Sequence, residues 1–475
     1  LHGAGATPDP MASLVYRVHP VPKAMREFIF DFGSLSTSTE ELYVQSMVGQ
    51  QLGMGTTMEH RVVTSLICAS QSYVRKVDEE ESSVSLRDVK RTLELTQWFL
   101  YNVVMQQDHS TSEMGAAVIL ALAHVYWYRL SSTEHRTNYW TALRECQSAS
   151  RGLDRRWSEL FKPGVFEAVV SKAQMFFCDN MEVGEGIALN EALTENLFVV
   201  IVCLLNRIPV FVIGKPGSSK TLAMQVIASN LQGKQSPHAF WHSFPSVYVF
   251  QYQCSPMSSS ASILAQFEMA KRYQAHAHDS VTVLLLDEVG LAEHSPDMPL
   301  KCLHGMLVDP PVAIVGLSNW VLDPAKMNRA VLLHRTEPSE TDIQLTGQHI
   351  IGPLSAEGGG KLTRSASGGR GQLAPWLGPL AAAYHQVYTK QLGRDFVGMR
   401  DYYNLVKLLA AELQSSGSVD LQPELLTFAL CRNFGGKPEA LSVWIEIFHK
   451  TCFGLPPPAS LPSVRDLIRA NLDHD

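Results

Sequence analysis

A loop of small residues that ends in a lysine is the feature of this sequence with the clearest chemical potential. It follows an apolar run at residues 210–213 and reads Gly-Lys-Pro-Gly-Ser-Ser-Lys-Thr. Glycines let backbone N–H groups approach a polyphosphate, and the first turn of a following helix adds its positive end. Lys220 would reach the terminal phosphates, and the Thr221 hydroxyl would bind Mg²⁺. The pattern predicts a phosphate site, and its residues are Gly214, Lys215, Pro216, Gly217, Ser218, Ser219, Lys220 and Thr221.

One position departs from the usual form of such a loop. Ser219 stands where a second glycine normally precedes the lysine. A serine is tolerated there if the backbone does not need a positive φ angle. The alternative is an ordinary Gly-Pro turn before a core helix, but the strand before the loop and the helix after it favour nucleotide binding.

Two adjacent carboxylates end a second apolar run, at Asp287 and Glu288, which begin 67 residues after Lys220. The carboxyl ends of parallel strands form the ligand crevice of an α/β sheet. Asp287 would hold Mg²⁺ through water, together with Thr221, and Glu288 would polarise a water that attacks the γ-phosphate. Many buried strands end in an acidic residue. This pair therefore indicates a nucleotide site only because a phosphate loop precedes it in the sequence.

Three further polar residues would complete such a site. Asn319 follows the apolar run at residues 312–315 and would orient the attacking water, although a turn-forming asparagine is an equal alternative. Arg329 and Arg400 would neutralise charge during phosphoryl transfer, since such arginines commonly come from a separate element. Isolated arginines are more often surface residues, so both readings stay open.

The elements that must position these residues alternate along the chain. Four apolar runs without polar alternation predict parallel strands covered by helices on both faces, and they occupy residues 210–213, 247–250, 281–286 and 312–315. Helix candidates at 220–232 and 261–275 lie between them. The pattern predicts an α/β doubly wound core preceded by a mainly helical region.

Changes in composition divide the chain into five regions. We predict a mainly helical region at 1–155, a connector at 156–189 and an α/β nucleotide-binding core at 190–346. A flexible linker at 347–374, which is rich in Gly and Ser at 352–372, and a helical subdomain at 375–475 follow. Ser85 to Val89 (SLRDV) resembles Gly398 to Tyr402 (GMRDY), and each opens an amphipathic helix.

Composition excludes several classes of protein. The chain has 475 residues, 45% of them hydrophobic, which is typical of several globular domains. Its net charge of −7 gives no bias toward nucleic acid. The eight cysteines are too scattered for a zinc or redox motif, and they favour a reducing, cytoplasmic location. The apolar stretches at 116–128 and 197–213 are too short or too interrupted to predict a transmembrane segment.

Taken in order, these residues resemble those of the AAA+ ATPases. Residues 214–221 match the Walker A motif, Asp287 and Glu288 match Walker B, Asn319 matches sensor 1 and Arg400 matches sensor 2. Arg329 looks like an arginine finger. Closer still is the resemblance to the mysterin family of giant ubiquitin ligases, which fits Ser219 and is carried by VFVIGKPGSSKT, FQYQCSP, LLLDEVGLAEHSPDMPLKCLH, GLSNWVLDPAKMNRA and GMRDYYNLVKLL.

This resemblance implies an AAA+ three-layer parallel-sheet core with a helical lid at 375–475, and a region at 1–155 that is the lid of a preceding module. It implies ATP and Mg²⁺ as cofactors and ATP hydrolysis coupled to conformational change. A nucleotide-binding structural module that does not hydrolyse ATP is the alternative. The implied partners are neighbouring AAA+ modules of the same parent chain and, through that parent, the ubiquitin machinery.

The resemblance has two limits. The RING of the family is absent, so ubiquitin transfer would belong to the parent protein, of which this chain looks like a fragment. The segment 306–312 looks shorter than in the family, and residues 352–372 do not resemble it.

Overall fold

A computed structural model describes most of the chain. The described residues are 20–30, 35–53, 55–107, 110–152, 154–184, 187–322, 327–352, 368–391, 397–416, 418, 420–436 and 438–472. No helix within these ranges is long and apolar enough to cross a membrane.

The N-terminal region is a set of helices whose starts are well capped. Thr56 and Ser85 each accept a hydrogen bond from a backbone N–H of the first turn, and an acidic residue three positions later bonds back to the cap. These helices are α1 Thr37–Gln51, α2 Thr57–Asp78, α3 Leu86–Asn102, α4 Glu113–Leu122, α5 Thr133–Arg144, α6 Arg155–Leu160 and α7 Val165–Cys178. The stretch 156–189, predicted as a connector, thus contains helical turns whose aromatic residues Phe166 and Phe177 are buried.

The central element is a five-stranded parallel sheet in the order β2-β3-β4-β1-β5. Its strands are β1 Val210–Ile213, β2 Ser246–Gln253, β3 Ser280–Asp287, β4 Ala313–Ser318 and β5 Val331–His334. The four predicted strands are all present, and β5 is an additional strand that was not predicted. The predicted α/β fold class is confirmed.

Helices cover both faces of this sheet, as strands that are apolar on both sides require. They are α8 Glu191–Leu205, α9 Lys220–Asn230, α10 Ser260–His276 and α11 Leu303–Met306. Alternate strand residues face different cores. Val210 and Val212 join a core shared with the N-terminal helices, whereas Phe211 and Ile213 face a second core with α10.

The C-terminal helices have a hydrophobic core of their own. They are α12 Glu340–Ile351, α13 Gly368–Leu373, α14 Leu377–Thr389, α15 Met399–Ser416, α16 Pro423–Phe434, α17 Pro438–Phe453 and α18 Val464–Leu472. Most of the predicted flexible linker, residues 353–367, lies outside the described residues, and the described parts on either side are largely helical. The region boundaries themselves stay predictions.

Candidate active site

The phosphate loop predicted at 214–221 connects the carboxyl end of β1 to the start of α9. Neighbouring atoms lie so close to both of its glycines that a side chain at either position would be crowded. A Cβ at Gly214 would lie 2.7 Å from the Cβ of Arg335, and one at Gly217 would lie 3.1 Å from the backbone nitrogen of Arg400. Gly217 also has a φ angle of +85°, which side chains disfavour. The loop is therefore packed between the strand that precedes Arg335 and the C-terminal helices.

Ser219 departs from the expectation drawn from the sequence. The condition for a serine at this position was a backbone without positive φ, yet its φ is 56° and its ψ is 22°. That is the left-handed region, where a non-glycine residue costs roughly 1–2 kcal/mol. Contacts around Ser219 must therefore offset this strain.

Lys220 lies at the centre of the site. Its Nζ donates hydrogen bonds to the carbonyl oxygen of Lys215 at 3.2 Å and to Oδ1 of Asn319 at 3.1 Å. Burial lowers the pKa of Lys220 to about 8, an effect that Arg400 reinforces and the carboxylates of Asp287 and Glu288 oppose. Lys220 thus contacts Asn319 and lies within electrostatic reach of the acidic pair and Arg400.

Two glutamines hold the acidic pair. Gln253 donates from Nε2 to Oε2 of Glu288 at 2.8 Å, and Gln251 donates to Oδ2 of Asp287 at 3.4 Å. Asp287 also accepts the backbone N–H of Glu288 through Oδ1 at 2.9 Å. We did not predict the glutamines. They are two residues apart in the run FQYQ, and alternate residues of a strand share a face. This spacing is the sequence signal that could have indicated them.

These groups suit a nucleotide with a divalent cation. The described residues contain no cluster of three or more His, Cys, Asp or Glu side chains that could hold a metal by themselves. Mg²⁺ is usually bound by one or two carboxylates and by substrate phosphates. Thr221, in the first turn of α9, and Asp287 would supply the protein ligands, and the loop N–H groups and Lys220 would face the phosphates.

Arg329 is not at this site. It precedes β5 at the opposite, amino-terminal edge of the sheet and lines a cavity of about 530 Å³. Arg91 of α3 donates to the carbonyl oxygen of Arg329. Its charged lining residues are mostly basic: Arg87, Lys90, Arg91, Arg207 and Arg329 lie there with the acids Glu94 and Asp309.

A buried ion network lies behind the phosphate loop, and the sequence did not indicate it. Glu195 of α8 pairs with Arg136 of α5 at 3.0 Å and also with Arg335, which follows β5. The side chains are only 3% to 5% exposed. Burial raises the pKa of Glu195, but the two guanidinium groups together outweigh that effect and keep it below its usual value. The network links the N-terminal helices to the residue that packs under Gly214.

The C-terminal helices contact the other side of the loop. Lys215 forms an ion pair with Glu337 at 2.9 Å and lies 4.8 Å from the ring centroid of Tyr388 on α14. Tyr403 of α15 donates from its hydroxyl to the carbonyl oxygen of Gly217 at 3.4 Å. The loop thus lies between the sheet and the C-terminal helices.

Comparison with known proteins agrees with the motifs. Residues 186–342 match the family model described as the RNF213 AAA domain. The chain is 34% identical over 469 residues to E3 ubiquitin-protein ligase RNF213 of Homo sapiens, across 92% of this chain and 8% of that protein. It is 35% identical over 496 residues to E3 ubiquitin-protein ligase rnf213-beta of Danio rerio, across 98% of this chain and 9% of that protein. The chain therefore spans less than a tenth of the length of these relatives.

Similarity to solved structures is weaker. The structure of Rhizobiales Trip13 matches 50% of this chain and 76% of its own, at 18% identity and a TM-score of 0.30. The structure of C. elegans PCH-2 matches 47% of this chain and 67% of its own, at 16% identity and a TM-score of 0.27. At these TM-scores the matches carry no argument. The resemblance to the mysterin family, whose name is another for RNF213, is confirmed by the sequence relatives and by the matching family model.

Proposed function

Because the chain is homologous to a segment of the RNF213 ligases and contains an AAA domain of their type, we propose that it binds and hydrolyses ATP as an AAA+ module. The proposal rests on one observation: Lys220, Asn319 and the Asp287–Glu288 pair lie together beside the phosphate loop. These groups come from three neighbouring strands and one helix start, all at the carboxyl edge of the sheet.

In this proposal the loop N–H groups and Lys220 bind the phosphates of ATP. Lys220 is held by oxygens of Lys215 and Asn319, and phosphate oxygens would replace these acceptors. Thr221 and Asp287 would hold Mg²⁺, which supplies charge neutralisation at the phosphates when it is bound.

Hydrolysis would use Glu288 as the base for the attacking water. A carboxylate can accept the proton of that water, and Asn319 lies close enough to Lys220 to orient it at the γ-phosphate. Glu288 is held at 2.8 Å by Gln253, so this hydrogen bond must loosen or be shared with the water in the reactive arrangement. Arg400 would neutralise charge from the lid side.

The basic cavity at Arg329 supports a second part of the proposal, which is cooperation with a neighbouring module. Arg87 lies in this cavity and occupies the place in SLRDV that Arg400 occupies in GMRDY. The two helix starts are also capped alike, because Asp88 and Asp401 each accept a backbone N–H three residues earlier at 2.8 Å. We propose that Arg87 and Arg329 together serve the nucleotide of the preceding module of the parent chain.

The alternative is a module that binds nucleotide and holds a larger ring in shape without turnover. One observation favours it: the Glu288 carboxylate accepts a hydrogen bond from Gln253 at 2.8 Å. The intact acidic pair argues against it. In either case, ubiquitin transfer is a proposal about the parent protein, since the relatives are E3 ubiquitin-protein ligases of which this chain spans less than a tenth; a cytoplasmic location is proposed from the scattered cysteines.

The site assignment is tested by titrating a fluorescent ATP analogue into the wild-type chain and into Lys220→Ala. We expect Lys220→Ala to abolish binding, since the lysine supplies the main positive charge to the terminal phosphates. Unchanged affinity would refute the site. Turnover by the chain, compared with turnover by a longer protein that includes its neighbours, then separates the hydrolysing module from the structural one.

A further inference from the structure

The segment before α1 presents an apolar patch to solvent. Residues 23–28 form a 3₁₀ helix, and Ile29 after it has an extended backbone. Phe28 is 69% exposed, Ile29 is 57% exposed and Phe30 is 78% exposed, and the five-stranded sheet does not include these residues. Bulky apolar side chains that are grouped and exposed in this way mark a surface that another element covers. A second copy of the same sequence pattern, later in the chain, indicates which element that is.

The pattern of this segment recurs around β5, at a constant distance of 303 residues. Three identical polar residues and one apolar run match without a gap. The matched positions are Lys23 with Lys326, Arg26 with Arg329, Ser36 with Ser339, and 28–30 with 331–333. The similarity between SLRDV and GMRDY continues the same order at a distance of 313 residues. The stretch from the patch to α3 is therefore a repeat of the stretch from β5 to α15.

The helices that follow the two segments are built alike. Ser36 accepts the backbone N–H of Thr39 at 3.2 Å and caps α1, and Ser339 accepts the backbone N–H of Asp342 at 3.2 Å and caps α12. The helix α1 packs on α2 and α3, and α12 packs on α14 and α15. Here α3 and α15 are the helices that begin in the SLRDV and GMRDY motifs. The repeat in sequence is thus also a repeat in structure.

In the second copy the apolar run is the edge strand β5, and its partner is β1. The first three residues of β5 are at most 4% exposed, and they pair in parallel with β1, the strand that leads into the phosphate loop. Val331 and Arg335 donate their backbone N–H groups to the carbonyl oxygens of Pro209 and Ile213, both at 2.7 Å. Leu333 lies midway between the two donors. Because donors alternate along a parallel strand, its N–H also faces β1.

We propose that residues 28–30 are the edge strand of the preceding module and pair in parallel with the strand that leads into that module's phosphate loop. The helices from α1 onward are then its lid. Phe30 corresponds to Leu333 and donates its backbone N–H to the upstream strand. The N–H of Ile29 faces the open edge, where it already bonds to the carbonyl oxygen of Arg26 at 3.2 Å. Phe28, the last residue of the 3₁₀ helix, becomes extended on pairing.

The upstream strand would lie in the parent chain, since the present chain spans only 8% to 9% of the length of its relatives. The pairing rests on the preceding module proposed above, but it does not rest on ATP binding at Lys220. It also gives the patch one occupant, because β5 shows that a run in this position is buried by a single parallel neighbour.

Hydrogen exchange at Phe30 tests the pairing. It is measured in the chain alone and in a longer protein that includes the preceding module. We expect the Phe30 amide to exchange at least about 100-fold more slowly in the longer protein, whereas the Leu333 amide should be protected in both. Equal exchange of Phe30 in the two proteins would refute the pairing. Protection that rises with the concentration of the chain alone, and that the longer protein does not increase, would identify a second copy as the occupant and overturn the proposal.

A charge at the same position tests the apolar contact. Phe30→Asp should leave the urea midpoint of the chain alone unchanged, because the side chain is exposed there. In the longer protein it should move an unfolding transition to lower urea, because the charge is then buried in a sheet. Leu333→Asp is the matched variant in β5 and should destabilise both proteins. Met175→Asp replaces an apolar side chain that is 53% exposed on α7, and this control should change neither protein. A longer protein that Phe30→Asp does not destabilise would contradict the proposal.

The pairing and the ATP site can fail separately. If Phe30 is protected in the longer protein but Lys220→Ala still binds the ATP analogue, the ATP site is wrong and the pairing stands. If Lys220→Ala abolishes binding but Phe30 exchanges equally in both proteins, the ATP site stands and the pairing is wrong.

Discussion

The lowered pKa of Lys220 makes ATP binding depend on pH in a defined direction. Burial brings this pKa to about 8, so the ammonium loses its proton within an accessible range. Bound phosphates carry negative charge beside the ammonium, and they raise its pKa in the complex. Below pH 8 the lysine is already charged and the affinity is constant. Above pH 8 binding must take up a proton, so the affinity falls as the pH rises.

The size of this effect follows from the fraction of lysine that is charged. With a pKa of about 8, roughly nine-tenths of Lys220 is protonated at pH 7 and roughly one-tenth at pH 9. The dissociation constant for ATP should therefore rise about tenfold between these pH values, or about 1.4 kcal/mol, because the bound phosphates bring the pKa in the complex well above 9.

A fluorescent ATP analogue titrated at constant Mg²⁺ and ionic strength measures this dependence. Calorimetry in buffers of different ionisation enthalpy should also record uptake of about 0.9 proton per site at pH 9. Lys220→Arg is the matched control, because a guanidinium stays charged throughout and its affinity should not vary. A flat wild-type profile between pH 7 and pH 9, or an equal fall in Lys220→Arg, would refute the assignment of Lys220 to the phosphates.

Two other predictions concern residues outside the loop. Glu195→Gln should lower the free energy of unfolding by about 3–5 kcal/mol in denaturant titrations, since it leaves the charges of Arg136 and Arg335 buried without a counterion. The pKa of Glu195 is lowered in the folded state, so its carboxylate stabilises the fold fully at pH values above the usual carboxyl pKa. This stabilisation is lost as the pH falls through the lowered pKa. A wild-type chain that is only as stable as Glu195→Gln at neutral pH would contradict this prediction. Arg329→Ala should leave ATP turnover of the isolated, monomeric chain unchanged, and in a longer protein it should slow a neighbouring site by about 10³–10⁵-fold. A large loss of turnover in the monomer would show instead that Arg329 acts at its own site.

Much of the core and the site could be predicted from the sequence because the signals are local. The loop at 214–221 combines small residues with a lysine between a strand and a helix, and four of the five strands are uninterrupted apolar runs. The order of the strands then brings Asn319, which directly follows β4, between the loop and the acidic pair.

The remaining features depend on contacts between distant parts of the chain. Glu195 and Arg136 are 59 residues apart and carry no pattern that would pair them. Because β5 was not predicted, neither was its pairing with β1, which places Arg335 behind the loop. The left-handed backbone of Ser219 was not anticipated either, because a serine in a sequence does not reveal its φ angle.

Hydrolysis of ATP at Glu288 is tested most directly by a single-turnover assay, with the isolated chain in excess over radiolabelled ATP. Glutamine preserves the shape of the side chain but cannot accept the proton of the attacking water. We expect Glu288→Gln to bind ATP as the wild type does and to hydrolyse it at least about 100-fold more slowly. Equal rates of phosphate release from bound ATP in the two proteins would contradict the role of Glu288 as the base.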